Sequence, residues 1–163
     1  MSFDIISQVD FFEPLPSVAL AALVTRARTQ TFRTGSLIMR QGEFSPALHV
    51  IVRGRVHVER AHPLMAESLV LAEAEAGDVV GELGILDGDP CLDTIRAVED
   101  TDTMEFAAGS LVTVLLDIPE LSPVWLPRLS RRLRTHAELT TSACRNGGCA
   151  AAVLAGAGLN PPG

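Results

Sequence analysis

Apolar and polar positions divide the chain into three zones. From Ser2 to Ala27 the spacing is helical, interrupted at Glu13-Pro14-Leu15-Pro16. Pro16 and Ser17 suit a helix start, after which Val18, Ala21, Ala22 and Leu23 fall on one side of a short helix. From about Thr29 to Phe106 the period drops to two and glycines cut the runs. Thr31-Phe32, Ser36 to Arg40, Leu48 to Val52, Val56 to Glu59, Glu67 to Leu71 and Asp93 to Ala97 read as strands. Val50/Val52 and Val56/Val58 alternate across Arg53-Gly54, as in a tight hairpin. About six to eight strands at this spacing predict a small antiparallel barrel or jelly roll.

The third zone is helical again. Leu111, Val112, Leu115 and Leu116 form one apolar face, and Ser122-Pro123 reads as an N-cap with Pro at the first helical position. Trp125, Leu126, Leu129, Leu133 and Ala137 follow at helical spacing, with arginines on the other side. Pro127 removes a backbone donor about one turn in, so a bend is expected there. Asn146-Gly147-Gly148 ends the helix, and the Ala/Gly/Leu/Pro tail to Gly163 reads as loose.

With 163 residues there is chain for one well-cored domain. Apolar residues at 47% and charged residues at 20% exclude a disordered or fibrous class. No apolar run approaches the roughly 20 residues of a membrane-spanning helix. The start, MSFDIISQVD, lacks the basic and apolar regions of a secretory signal, so a cytoplasmic location is expected, without membrane contact.

Charge narrows the partners. All 13 basic residues are Arg, which leaves no lysine for Schiff-base chemistry. Residues 1–120 carry a net charge of −11, and residues 121–163 a net of +4. An acidic body with a basic segment suits self-association or an acidic partner better than a phosphate backbone, which demands a broad cationic face. Three unevenly spread cysteines (Cys91, Cys144, Cys149) do not form a disulfide framework. Cys144, Cys149 and His136 match no zinc spacing, and Asp87 with Asp89 read as a solvated turn. There is no nucleophile–base motif and no phosphate loop with Lys, so no catalytic residue, metal or cofactor is assigned.

The glycines carry the remaining signal. Thr34-Gly35-Ser36, Gln41-Gly42-Glu43 and Arg53-Gly54-Arg55 are followed by Gly77-Asp78-Val79-Val80-Gly81-Glu82-Leu83-Gly84-Ile85-Leu86 and Asp87-Gly88-Asp89-Pro90. This series, over roughly residues 10–140, resembles the cyclic-nucleotide-binding domain of catabolite-activator-type regulators, kinase regulatory subunits and gated channels. The resemblance implies a β-roll, or double-stranded β-helix, over residues 29–107. An N-terminal helical segment (1–28), C-terminal helices (108–143) and a flexible tail (144–163) flank it.

It also implies a site. In the family the backbone of a Gly-Glu-Leu segment, here Gly81, Glu82 and Leu83, faces the cyclic phosphate. The Glu accepts a hydrogen bond from the ribose 2′-hydroxyl. After Pro90 the family places an Arg against the phosphate, then a small or hydroxyl residue, then Ala. Here Cys91, Leu92 and Asp93 stand in those places. Losing one partner of a buried charge pair costs roughly 2–5 kcal/mol, about 30- to several-thousand-fold in affinity, so cyclic AMP binding is expected to be weak or lost. Arg40 and Arg96 are the other cations that a retained site would draw on. Val58 and Leu71 match apolar positions around the ligand, and His136 and Ala137 match the pair that caps the base. Cys91 reads as an inert filler whose thiolate is disfavoured by Glu82, Asp89 and Asp93.

The expectation is therefore a non-enzymatic regulatory or sensor domain whose C-terminal helix relays the state of the cavity. One alternative is a ligand-independent dimerisation or protein-interaction module that uses Trp125, Leu129 and Leu133 as its seam. Another is a truncated catabolite-activator-type transcription regulator. No DNA-reading helix pair follows the long helix in this chain, so DNA binding by it alone is not expected.

Overall fold

A computed structural model describes residues 2–45, 47–61, 68–119 and 122–146. The tail expected to be loose, with Cys149, lies outside them. The architecture is mainly β, with two antiparallel four-stranded sheets and flanking helices. Helices α1 (Ser2–Ser7) and α2 (Ser17–Val24) precede β1 (Arg28–Phe32), β2 (Leu37–Met39), β3 (Ala47–Arg53), β4 (Arg55–Arg60), β5 (Leu69–Glu75) and β6 (Val79–Val80). Then come α3 (Leu83–Asp87), β7 (Thr94–Ala97), β8 (Thr101–Ala107), α4 (Ala108–Asp117) and the long α5 (Ser122–Asn146). One sheet runs β1-β8-β3-β6 and the other β2-β7-β4-β5. Of the two expected architectures this is the jelly roll.

Several local expectations need correction. β3 and β4 do not form a hairpin. β3 pairs with β8 and β6, whereas β4 pairs with β5 and β7 in the other sheet. Gly54, with φ +92°, turns the chain from one sheet to the other, and a Cβ there would meet Asp100 O at 2.6 Å. Alternation on both sides of a glycine points to two strands and does not say that they pair; β3 is in fact buried at every position from Ala47 to Ile51. The strand expected at Glu67 to Leu71 runs from Leu69 to Glu75, and residue 67 lies outside the described set. β6, β8 and α3 were not foreseen. β8 carries Asp102 and Glu105 on its half-buried positions, which breaks up its apolar run. Pro127 lies within α5, which runs on past it to Asn146.

Two cores result. The larger packs α1, α2, α4 and Leu129 of α5 on the outer side of the β1-β8-β3-β6 sheet, through Leu48, Val50, Met104 and Phe106. Phe12 is its centre, with its ring 5.2 Å from Phe11 and 5.3 Å from Phe106. The smaller fills the roll with Met39, Ile51, Val56, Ala74, Val80, Cys91 and Ile95. The helix faces differ from those expected. α2 buries Ala19, Leu20 and Leu23 and leaves Val18 exposed, while α4 buries Leu111 and Val114 and exposes Val112 and Leu116. α2 is apolar nearly all round, and α4 is apolar over a wide arc opposite Ser110, Thr113 and Asp117, so period alone does not single out the inward residues. No described helix is long and apolar enough to cross a membrane.

Candidate functional site

A cavity of about 370 Å³ opens between the roll and α5. Its wall includes Val58 of β4, Leu71 to Ala74 of β5, the segment from Asp78 to Gly84, and Cys91 to Asp93. α5 packs on β5 and closes it with Arg131 and Thr135, one turn apart. Seven residues singled out from the sequence (Val58, Leu71, Gly81, Glu82, Leu83, Cys91 and Leu92) therefore meet at one place. Val58 also packs against the smaller core. The side chain of His136 lies outside the described residues, and Ala137 is exposed and not part of the wall.

The Gly81 segment is shaped by packing. Gly81 has φ +84°, and a Cβ on it would lie 2.6 Å from Ala47 O and 2.7 Å from Met39 Sδ. Glycine is needed there for the roll to close, whatever the cavity holds. The other wall is pinned by the turn before β3. Cys91 N donates to Glu43 O at 2.9 Å, Gly42 N donates to Cys91 O at 2.8 Å, and Gln41 N donates to Thr94 Oγ1 at 3.1 Å. Cys91 is thus held inward, with its thiol 3.9 Å from Ser45 O. Burial pushes the thiol pKa up, with a smaller contribution from the charge of Glu43. The direction is the expected one, but the cause differs, since Glu82, Asp89 and Asp93 were the expected sources.

Asp93 settles a direction that alternation left open. Cys91 and Asp93 are both buried and Leu92 between them is half exposed, so the first two share a side. Arg60 Nε donates to Asp93 Oδ1 at 2.8 Å, with the two side chains 19% and 8% exposed. The other carboxylates of the wall are Glu73, Asp78 and Glu82. Glu73 accepts from Arg55 at 3.1 Å, which holds its carboxyl below the usual range, and Asp78 Oδ2 accepts from Glu75 N at 2.8 Å. Among the described lining residues Arg131 is the one cation. Arg96 donates to both carboxylate oxygens of Glu59, at 3.0 and 3.2 Å, and Arg40 pairs with Glu43 at 3.3 Å. Neither lines the cavity.

The sequence reading missed Arg131, Thr135, Met39, Glu73 and Asp78 as wall residues. The i, i+4 spacing of Arg131 and Thr135 was the available signal, but the resemblance matched His136 and Ala137 to the base-capping pair instead. Among the described residues no group of three or more His, Cys, Asp or Glu is placed to hold a metal ion.

A two-sheet roll with a cavity capped by a C-terminal helix defines a small-molecule sensor architecture. The profile of the cyclic nucleotide-binding domain matches residues 29–117, more than half of the chain, and the chain belongs to that family. The CRP-like cAMP-activated global transcriptional regulator of Mycobacterium tuberculosis is 28% identical over 131 residues, covering 80% of this chain and 58% of that protein. The chain thus spans under two thirds of that relative's length. Among solved structures, the sensor domain of the transcriptional regulator DNR from Pseudomonas aeruginosa superposes with a TM-score of 0.73. It is 24% identical, and the match covers 83% of this chain and 90% of that one. The regulatory subunit of a cAMP-independent protein kinase A from Trypanosoma brucei, a triple variant bound to cAMP, gives a TM-score of 0.64 at 21% identity. That match covers 80% of this chain and 50% of that one.

Proposed function

We propose that the chain is a non-enzymatic, cytoplasmic regulatory domain that keeps the cyclic-nucleotide cavity and binds cyclic AMP weakly or not at all. One observation carries the reading: Cys91, which the resemblance aligns with the family's phosphate-pairing Arg, is buried in a cavity wall that also holds four carboxylates. A cyclic phosphate entering it meets net negative charge in a site of reduced dielectric. That the Trypanosoma brucei relative is described as cAMP-independent, and cAMP-bound in a triple variant that gains one Arg and two Ala and loses a Glu, agrees with this sense of the chemistry. Glu82 remains the acceptor for a ribose hydroxyl.

Signalling uses α5. Arg131 and Thr135 form part of the wall, so any ligand changes the free energy of the docked helix and shifts its population. The partner is a second copy or another protein met through α5, and no DNA is bound by this chain alone. The interaction-module reading draws support from Leu126 and Leu133, which are exposed on α5, while Leu129 of the expected seam is buried in the chain's own core. The side chain of Trp125 lies outside the described residues.

The test is Cys91→Arg combined with Asp93→Ala. The double variant should regain about 2–5 kcal/mol of cyclic AMP binding, read by titration calorimetry and as a ligand-dependent rise in melting temperature. The wild type should show little of either. Tight wild-type binding, or no gain in a folded double variant, would sink the proposal.

A further inference from the structure

The resemblance places the cation for the phosphate on the segment after Pro90, but the surroundings of Asp93 point elsewhere. Its carboxylate is buried, lies on the same side as Cys91 and forms part of the cavity wall. β4 and β7 are neighbours, with Glu59 opposite Thr94, which brings Arg60 beside Asp93. Arg60 is not itself part of the wall, but its guanidinium sits 2.8 Å from the carboxylate of a wall residue and is largely shielded from solvent. Arg55 and Arg96, the other arginines of β4 and β7, are held by Glu73 and Glu59.

We infer that Asp93 is an internal anion occupying the place of a ligand's phosphate, and that Arg60 is the latent phosphate cation of the site. The inference rests on the cavity being the ligand site, as proposed above. A carboxylate and a phosphate offer a guanidinium the same kind of charged oxygen. While Asp93 holds Arg60, an incoming anion must both displace that hydrogen bond and approach a like charge. The cavity consequently rejects phosphate-bearing ligands in favour of uncharged ones, and Asp93 is its specificity-determining residue.

Neutralising that carboxylate removes the anion that competes with a phosphate for Arg60. Asp93→Asn keeps the volume and one oxygen acceptor while removing the charge. Titration with cyclic AMP should show affinity rising about 10- to 100-fold, the scale of one charge-assisted hydrogen bond. Adenosine, which lacks the phosphate, should show no gain. Adding Arg60→Gln should return cyclic AMP binding to the wild-type level. An equal gain for adenosine would mean that the cavity merely opened, and a gain that survives Arg60→Gln would assign the cation elsewhere; either overturns the inference. Asp93→Ser provides a second variant should the first fold poorly, and failure of both to fold would make the pair structural and overturn it as well. If Cys91→Arg/Asp93→Ala binds and Asp93→Asn does not, this inference fails and the proposed function stands. If neither binds, the proposed function itself fails.

Discussion

His49 ties the stability of the roll to pH. It lies in β3 opposite Glu105, is 3% exposed, and has Nδ1 3.1 Å from Thr103 Oγ1. The Phe32 ring stands edge-on at 6.3 Å. Burial lowers its pKa from 6.5 to about 4, because imidazolium loses its hydration there. The unfolded chain takes up the proton first as pH falls, so stability is complete above about 6.5 and declines towards pH 4, where the folded state also protonates. The loss is roughly 2 kcal/mol at pH 5 and about 3 kcal/mol at the end of the window. For a chain of this size, 2 kcal/mol corresponds to about 4–8 °C in melting temperature. Asp100, held low by the Thr34 N–H at 2.9 Å and the Thr34 hydroxyl, loses its contribution only below about pH 4. Urea denaturation followed by far-ultraviolet circular dichroism at pH 7, 6 and 5 would measure the decline, with His49→Gln as the variant that cannot titrate. The wild type should lose about 2 kcal/mol between pH 7 and 5 and the variant far less. Parallel curves for the two proteins would refute the assignment.

Gly81→Ala combines a left-handed backbone with three contacts below 3 Å, so a loss of about 2–5 kcal/mol is expected in chemical denaturation. Gly35→Ala has nearly the same φ with open space around it and should lose only about 1–2 kcal/mol; equal losses would show that the contacts at Gly81 relax freely. The exposed leucines of α5 predict a homodimer that strengthens as salt screens its arginines, and that Leu126→Ser with Leu133→Ser dissociates. Light scattering that finds a monomer at high concentration and high salt would remove that reading.

Period and punctuation made the fold class legible, because both report local necessities. A half-buried strand must alternate, and a chain that changes direction in a tight space needs a residue tolerant of positive φ. Strand pairing was not legible at the same level. Val50/Val52 and Val56/Val58 alternate in sequence, yet β3 is buried at every position from Ala47 to Ile51. The two strands belong to different sheets, since their partners β5, β6, β7 and β8 come further along the chain. The faces of α2 and α4 escaped for a related reason. α2 is apolar nearly all round and α4 over a wide arc, and only the neighbouring sheet decides whether Val18 or Leu20 turns inward.

The cavity divides along the same line. Gly81 could be read from the sequence because Ala47 and Met39 forbid any side chain there, a demand of the roll that persists whether or not a phosphate ever arrives. Glycine spacing therefore reports the fold, and the ligand chemistry must be read from the charged side chains instead. Those charges act through partners distant in sequence. Asp93 next to Cys91 reads as one more anion until Arg60, 33 residues earlier, is found against it. Glu59 likewise takes Arg96, removing from the cavity a cation that the sequence had left available. Charge content could be counted in advance, but charge assignment depended on which strands became neighbours.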